Sequence, residues 1–307
     1  MKKNLLWIAL LLISSWMAIQ DWPVTVQISG ETPFSIRIPW KDKQRLDFFF
    51  REVCFVGVWS YTLLGSKPMS FDQYDKSMHV IKEKARPTYL KAMLFDFFPS
   101  ADWRKVCCLL IPKHLKMKWG WQTLNKYISY FPKSRFTLFT DNHGDTVCLT
   151  LIDKNKLKNI VEQYSEDFQV VLQRLAIQPK ALSDNKKLDA FSNLCCVHDE
   201  LLGMLLGFGK ENARLYAKYK NVDPQERPLV SAWFEEELPH LDMLSRKDLT
   251  FKSWEATDLF YPRFVCDPQS EETCRLKKTY RAEREKIVKY YAGKDIVEAT
   301  LSLFNQS

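Results

Sequence analysis

Glycine is scarce in this chain: nine residues in 307, against about 7% in an average protein. Phosphate cradles built on Gly-rich loops and turn-dense β-sandwiches both need more, so the depletion argues against either and favours helices. Metal motifs are missing as well. The five histidines, His79, His114, His143, His198 and His240, stand singly, with no HExxH or H-x3-H pair to hold zinc. Among the eight cysteines no CxxC occurs, and none precedes Cys54, which excludes a lipoprotein anchor. A strong excess of charge is lacking too, the basic surplus being mild. The formal net charge of +8 includes Lys2 and Lys3, and acids interrupt most basic runs, at 41–45, 82–86 and 275–289, though not at 113–118. Such a balance suits solvated helix faces or attraction to an anionic membrane surface, and a chain that is exported meets lipid headgroups before nucleic acid, so no nucleic-acid partner is expected. Apolar residues at 46% and charged residues at 27% describe an ordinary globular chain, not a disordered one.

What is present begins at residue 2. Lys2 and Lys3 precede an uncharged run over 5–19, LLWIALLLISSWMAI, before the first acid at Asp21. A basic n-region ahead of an apolar h-region is an export signal. As a helix the run reaches about 22 Å, short of the ~30 Å hydrocarbon core, which favours cleavage over spanning. The junction offers poor cleavage sites, since Ala18 at −1 puts Trp16 at −3 and Ser15 at −1 puts Ile13 at −3. Residues 1–20 are therefore read as a signal peptide or an N-terminal membrane anchor. The product is periplasmic, secreted or held at the inner membrane.

Residues 21–307 read as one α+β domain, predominantly helical, with two short β-hairpins. Alternating apolar residues over 24–28 and 34–38 flank Ser29-Gly30-Glu31, and 135–140 with 146–152 flank Asp141-Asn-His-Gly-Asp145. Helical periodicity covers 42–64, both sides of Pro99, 119–130, 154–164, 165–176, 180–191, a long stretch over 197–220, then 271–291 and 295–304 with Gly293 as a C-cap. Prolines punctuate 224–268.

Few residues nominate themselves for chemistry. His198, Asp199 and Glu200 open the long helix, where acids already complement the helix dipole and neighbours point about 100° apart. With Glu235, Glu236 or His240 brought near by folding, His198 or Asp199 would form the acid/base set of an envelope hydrolase or transferase. Asp141, His143 and Asp145 sit in turn chemistry that could also hold a cation. Cys266 and Cys274 bracket a Pro-containing loop that a disulfide could close. Gly203 and Gly207 lie one helical turn apart and predict close packing against another helix. A Walker A loop at Gly209-Lys210 fails on Met204 and Glu211. No cofactor is indicated.

The Leu64-Gly-Ser-Lys-Pro68 end of the aromatic-rich helix, residues 201–209 followed by Asn212-Ala213, and the tail Phe264-Val265-Cys266-Asp267-Pro268 resemble exported proteins of Chlamydia-like intracellular bacteria. The likeness spans most of the mature chain, rests on apolar and structural motifs, and brings no known activity. It implies a bacterial, host-associated setting. The expectation is a non-enzymatic protein of the envelope or host interface, its partners a membrane surface or a protein. The alternatives are the hydrolase above and a module binding peptide or lipid through aromatic residues.

Overall fold

Two strands come first. In the computed structural model, which describes residues 21–30, 32–75, 113–220 and 255–306, β1 (Pro23–Ile28) pairs antiparallel with β2 (Phe34–Pro39), from Pro23↔Pro39 to Ile28↔Phe34. Val26, Ile28, Ile36 and Ile38 point into the core while Thr25, Gln27, Ser35 and Arg37 face solvent, the period-two pattern of a half-buried sheet. The signal over 1–20 lies outside the described residues, as do the helical pattern around Pro99 and much of the proline-punctuated stretch.

Helix α1 (Trp40–Arg51) buries Leu46, Phe49 and Phe50 at helical spacing. The expected continuation to residue 64 is interrupted. A π-helical turn (Glu52–Val56) is followed by Gly57 and by Val58 at φ 58°, after which the short α2 (Trp59–Leu63) begins. Strand β3 (Met69–Asp75) then pairs with a later strand, and α3 (Lys113–Tyr127) crosses α1 where Gly120 faces Phe49 closely enough that a Cβ would collide with the ring. Strands β4 (Phe136–His143) and β5 (Thr146–Asp153) form the second expected hairpin around Gly144, φ 58°. The antiparallel order is β3-β5-β4.

Five helices follow: α4 (Lys154–Gln163), α5 (Ser165–Arg174), α6 (Asn185–Cys196), α7 (Asp199–Leu205) and α8 (Lys210–Lys220). The single helix expected over 197–220 is thus two. Gly207 at φ 76° and Gly209 at φ 83° occupy the left-handed region that ends a helix, so the chain reverses there. That corrects the shared glycine face. Gly203 does pack tightly, a Cβ there lying 2.7 Å from Ala213 Cβ, but the neighbour is α8, and Gly207 sits in the turn. The chain closes with α9 (Glu271–Tyr291) and α10 (Ile296–Phe304), with Gly293 at φ 68° between them. Asp153, Asp184, Ser270 and Asp295 cap the helices that follow them by accepting two or one backbone N–H bonds.

The described residues form a predominantly helical α+β fold with ten α-helices and two small antiparallel sheets. Buried side chains fall into two clusters. One joins the first hairpin, α1, α2, α3, α9 and α10 around Phe49, Phe50, Trp59, Tyr61, Tyr280 and Phe304; the other gathers α4 to α8 around Leu157, Phe168, Leu188, Phe191 and Leu205. No helix among the described residues is long and apolar enough to cross a membrane.

Candidate functional site

The region around His198 is the first to test. His198 precedes α7 and lines a cleft of about 390 Å³ with Asp167, Glu200, Arg214 and the exposed Val170. Both carboxylates there are engaged: Glu200 accepts from Arg214 Nε at 2.6 Å, and Asp167 accepts from Arg214 at 3.2 Å and from Lys210 Nζ at 2.5 Å. Asp199 diverges from the cleft and pairs with Lys220 Nζ at 2.9 Å, in line with neighbouring positions pointing apart on a helix. Glu235, Glu236 and His240 lie outside the described residues.

At the second hairpin, Asp141 accepts from the Asn142 N–H at 2.7 Å, and its position on β4 opposes Cys148 on β5. Among the described residues no group of three His, Cys, Asp or Glu is arranged to hold a metal ion. Cys266 is buried and Cys274 exposed, with no disulfide between the two, and Cys274 Sγ faces the Pro268 carbonyl at 3.8 Å. The expected loop-closing bond is not formed. On α6, Cys195 is buried and Cys196 exposed, as vicinal helical residues must diverge.

Sequence patterning gave no hint of the most unusual region, the seam where the π-helical turn meets β3. Strand β3 is inverted: Ser70, Asp72 and Tyr74 point inward while Phe71 lies 41% exposed. Inward Ser and Asp with outward Phe is the reverse of what a core strand requires. The polar atoms find one another. Ser70 Oγ donates to the Val58 carbonyl at 3.2 Å and lies 2.7 Å from Thr62 Oγ1, Ser60 Oγ donates to the Cys54 carbonyl, and the Asp72 carboxylate fills the space a side chain at Gly57 would need. Nearby, Lys116 Nζ and Glu52 Oε1 form a buried ion pair at 3.4 Å. The indole Nε1 of fully buried Trp59 has no hydrogen-bond partner. A β-branched residue at positive φ, a π-turn and an inverted strand each break a local rule, and all three meet here.

Lys67 sits at one end of this seam. Its side chain is 3% exposed, and its amine reaches only Ser70 Oγ at 3.4 Å and the face of the Phe208 ring, 5.8 Å from the centroid. Burial pushes the amine down to about 7. An uncharged amine beside a hydroxyl is a base–nucleophile pair in kind, yet both groups are buried and the described clefts do not reach them.

Parts of three segments, 64–68, 201–213 and 264–268, converge at this point. Gly207 packs so closely on the loop over 64–68 that a Cβ would lie 3.2 Å from Lys67 Cγ, 3.3 Å from Pro68 Cδ and 2.8 Å from Tyr280 Oη. Tyr280 donates to the Gly207 carbonyl at 2.6 Å. Phe208 stacks on Phe264 at 5.1 Å between centroids. Glu283 accepts from the Ser66 N–H at 2.7 Å while burial raises its carboxyl, and Glu272 accepts from the N–H groups of Lys210, Glu211 and Asn212 at the start of α8. These segments thus join the two cores.

On the far side, where the first hairpin meets the chain terminus, a groove of about 420 Å³ is walled by Phe34, Tyr130, Phe131 and Phe304, with Lys133 at its edge. Phe131 contacts Phe34 at 5.8 Å and Phe304 at 6.3 Å, centroid to centroid. Tyr130 is 54% exposed. Asn305 Nδ2 donates to the Ser29 and Thr32 carbonyls at 3.2 and 3.0 Å, which pins the hairpin over the groove. No family profile, curated protein or solved structure matches the chain.

Proposed function

We propose that this chain is an exported, non-enzymatic protein of the bacterial envelope or host interface that acts by binding an apolar segment of a peptide or lipid. The aromatic groove of Phe34, Tyr130, Phe131 and Phe304 carries the reading: it is open, of a size that suits small ligands, and has a single cation at its rim. The basic n-region and uncharged run before residue 20 support the compartment. Aromatic walls supply contact area at low conformational cost, which suits recognition better than turnover.

Two measurements test it. Residues 1–25 fused to a reporter active only outside the cytoplasm should give activity; an inactive reporter at normal expression overturns export. Titrating residues 21–307 with phosphatidylethanolamine/phosphatidylglycerol vesicles, and separately with an aromatic-rich decapeptide, should give saturable binding to one probe that Tyr130→Ala weakens tenfold or more. Binding to neither probe, or binding indifferent to Tyr130→Ala, overturns the groove. The alternative of an envelope hydrolase is favoured by one observation, the gathering of His198, Glu200 and Asp167 around a single cleft. Ester hydrolysis lost in His198→Gln would support it.

A further inference from the structure

We infer that the seam between the two cores is an acid-sensitive latch, held shut by the Lys67 side chain packed against a hydroxyl and an aromatic face beneath the turn over 207–209. Two lysines are buried in the described residues, and they are solved differently. Lys116 has the Glu52 carboxylate at 3.4 Å; Lys67 has a hydroxyl and an aromatic face. Burying a charge without a counter-ion is far costlier than burying a neutral amine, so the packed arrangement around Lys67 selects the deprotonated form.

The groups that face Lys67 leave it in that state. From α9, Tyr280 is committed to the Gly207 carbonyl and Glu283 to the Ser66 N–H. Glu272, beside Gly209, is held by three N–H groups of α8. From β5, the Asp153 carboxylate is paired with Lys156 at 3.1 Å and Arg135 at 3.4 Å, and those cations also donate to the Thr62 and Leu63 carbonyls. Tyr61 on α2 is a buried phenol whose ring meets Tyr280 edge-on, and Asp72 on β3 lies against Gly57. None of these carboxylates forms an ion pair with Lys67.

Protonated Lys67 needs water. Because its stem lies against Gly207 and its amine over Phe208, the short route to water separates the turn over 207–209 from the loop over 64–68 and breaks the Phe208–Phe264 stack. The coupling has a definite sign. The folded amine titrates near 7 and the unfolded one near 10.5, so the unfolded chain binds the extra proton between those values, and stability rises with pH across that window. Below 7 the slope from Lys67 vanishes. Glu283, raised by burial, acts with the opposite sign, losing stability as pH rises above the ordinary carboxylate range.

Urea unfolding of residues 21–307 between pH 6 and 9 provides the test. The folded-to-unfolded ratio should rise with pH above 7, with about tenfold per unit from the Lys67 proton, and Lys67→Met should remove that part while keeping the fold, leaving the part from Lys154 and Lys156, whose amines burial also lowers. Amide exchange at Phe208, corrected for intrinsic pH dependence, should show the turn opening more readily at pH 6 than at 9. An unchanged slope in Lys67→Met, or a flat wild-type profile, overturns the latch. Should Lys67→Met not fold, the NMR titration of Lys67 Cε in the wild type decides: a midpoint near 7 supports the latch, and an amine still charged at pH 9 overturns it.

Discussion

The two cores are built by different means. In the second, α4 to α8 are consecutive in the chain, α4 and α6 start at the capping carboxylates of Asp153 and Asp184, and the interior is mostly aliphatic. Local rules suffice there. The first core gathers elements from both ends of the chain, α1 and β1 with α10, around rings that meet edge to face: Phe49 with Trp59 at 5.7 Å, Phe55 with Tyr291 at 5.3 Å, Tyr61 with Tyr280 at 5.5 Å. It also holds the π-turn, the left-handed Val58, the buried Lys116–Glu52 pair and the inverted strand. Exceptions of this kind persist only where surrounding structure over-determines them, and dense aromatic packing supplies that determination.

Deleting one ring from each core tests this difference with the largest effect. Phe49 touches the rings of Phe50, Trp59 and Trp121 and the backbone at Gly120, whereas among the described residues Phe168 has one ring partner, Phe191. Phe→Ala in a core costs about 3–5 kcal/mol. Phe49→Ala should fall at the upper end and Phe168→Ala at the lower, read from urea midpoints of residues 21–307. Because Gly207, Lys67 and Tyr280 tie the cores together, both variants should still unfold in one transition. Equal losses would mean that the rings add nothing beyond area, and two transitions would mean that the junction does not couple the cores.

The glycines at the junction come next. Leucine at Gly203 would press on Ala213, an overpacking worth about 1–3 kcal/mol. Leucine at Gly207 meets Tyr280 and Pro68 and must also adopt φ 76°, which adds about 1–2 kcal/mol for an L-residue. Gly207→Leu should therefore destabilise more than Gly203→Leu by thermal or urea unfolding. The reverse order would show that the turn yields more easily than the α7–α8 crossing.

This contrast also marks how far the sequence could be read. The hairpins and the helices over 154–196 and 271–304 were legible because alternation, periodicity and caps at Asp153, Asp184, Ser270 and Asp295 agree with one another. The break at 207 was half legible. Gly207-Phe-Gly209 is a helix stop when both glycines turn left-handed, yet Gly203 and Gly207, one turn apart, also fit a shared helical face. Strand β3 was not legible, because its inward residues are Ser70 and Asp72 and its outward one is Phe71. For the same reason Lys67, Ser70, Glu52 and Lys116 escaped notice: polar residues at positions a pattern treats as surface become interior only once distant elements close over them. His198 was legible as a residue of interest, but its partners Asp167 and Arg214 lie on other helices and follow from no spacing.

The smallest effect probes the strain itself. Val58 sits at φ 58° and ψ 23°, where an L-residue is disfavoured by about 1–2 kcal/mol and a β-branched one is a clear outlier. Glycine adopts that conformation freely. Val58→Gly gives up half-buried methyls, a loss of about 1 kcal/mol, but recovers the strain, so its stability should stay within about 0.5 kcal/mol of wild type. Val24, equally half-buried on β1 in ordinary strand geometry, serves as the control, and Val24→Gly should lose about 1–2 kcal/mol, with no strain to recover. Equal losses for the two variants, measured by urea unfolding side by side, would show that the left-handed turn stores nothing. The first core would then be merely irregular, held by its rings but not strained against them.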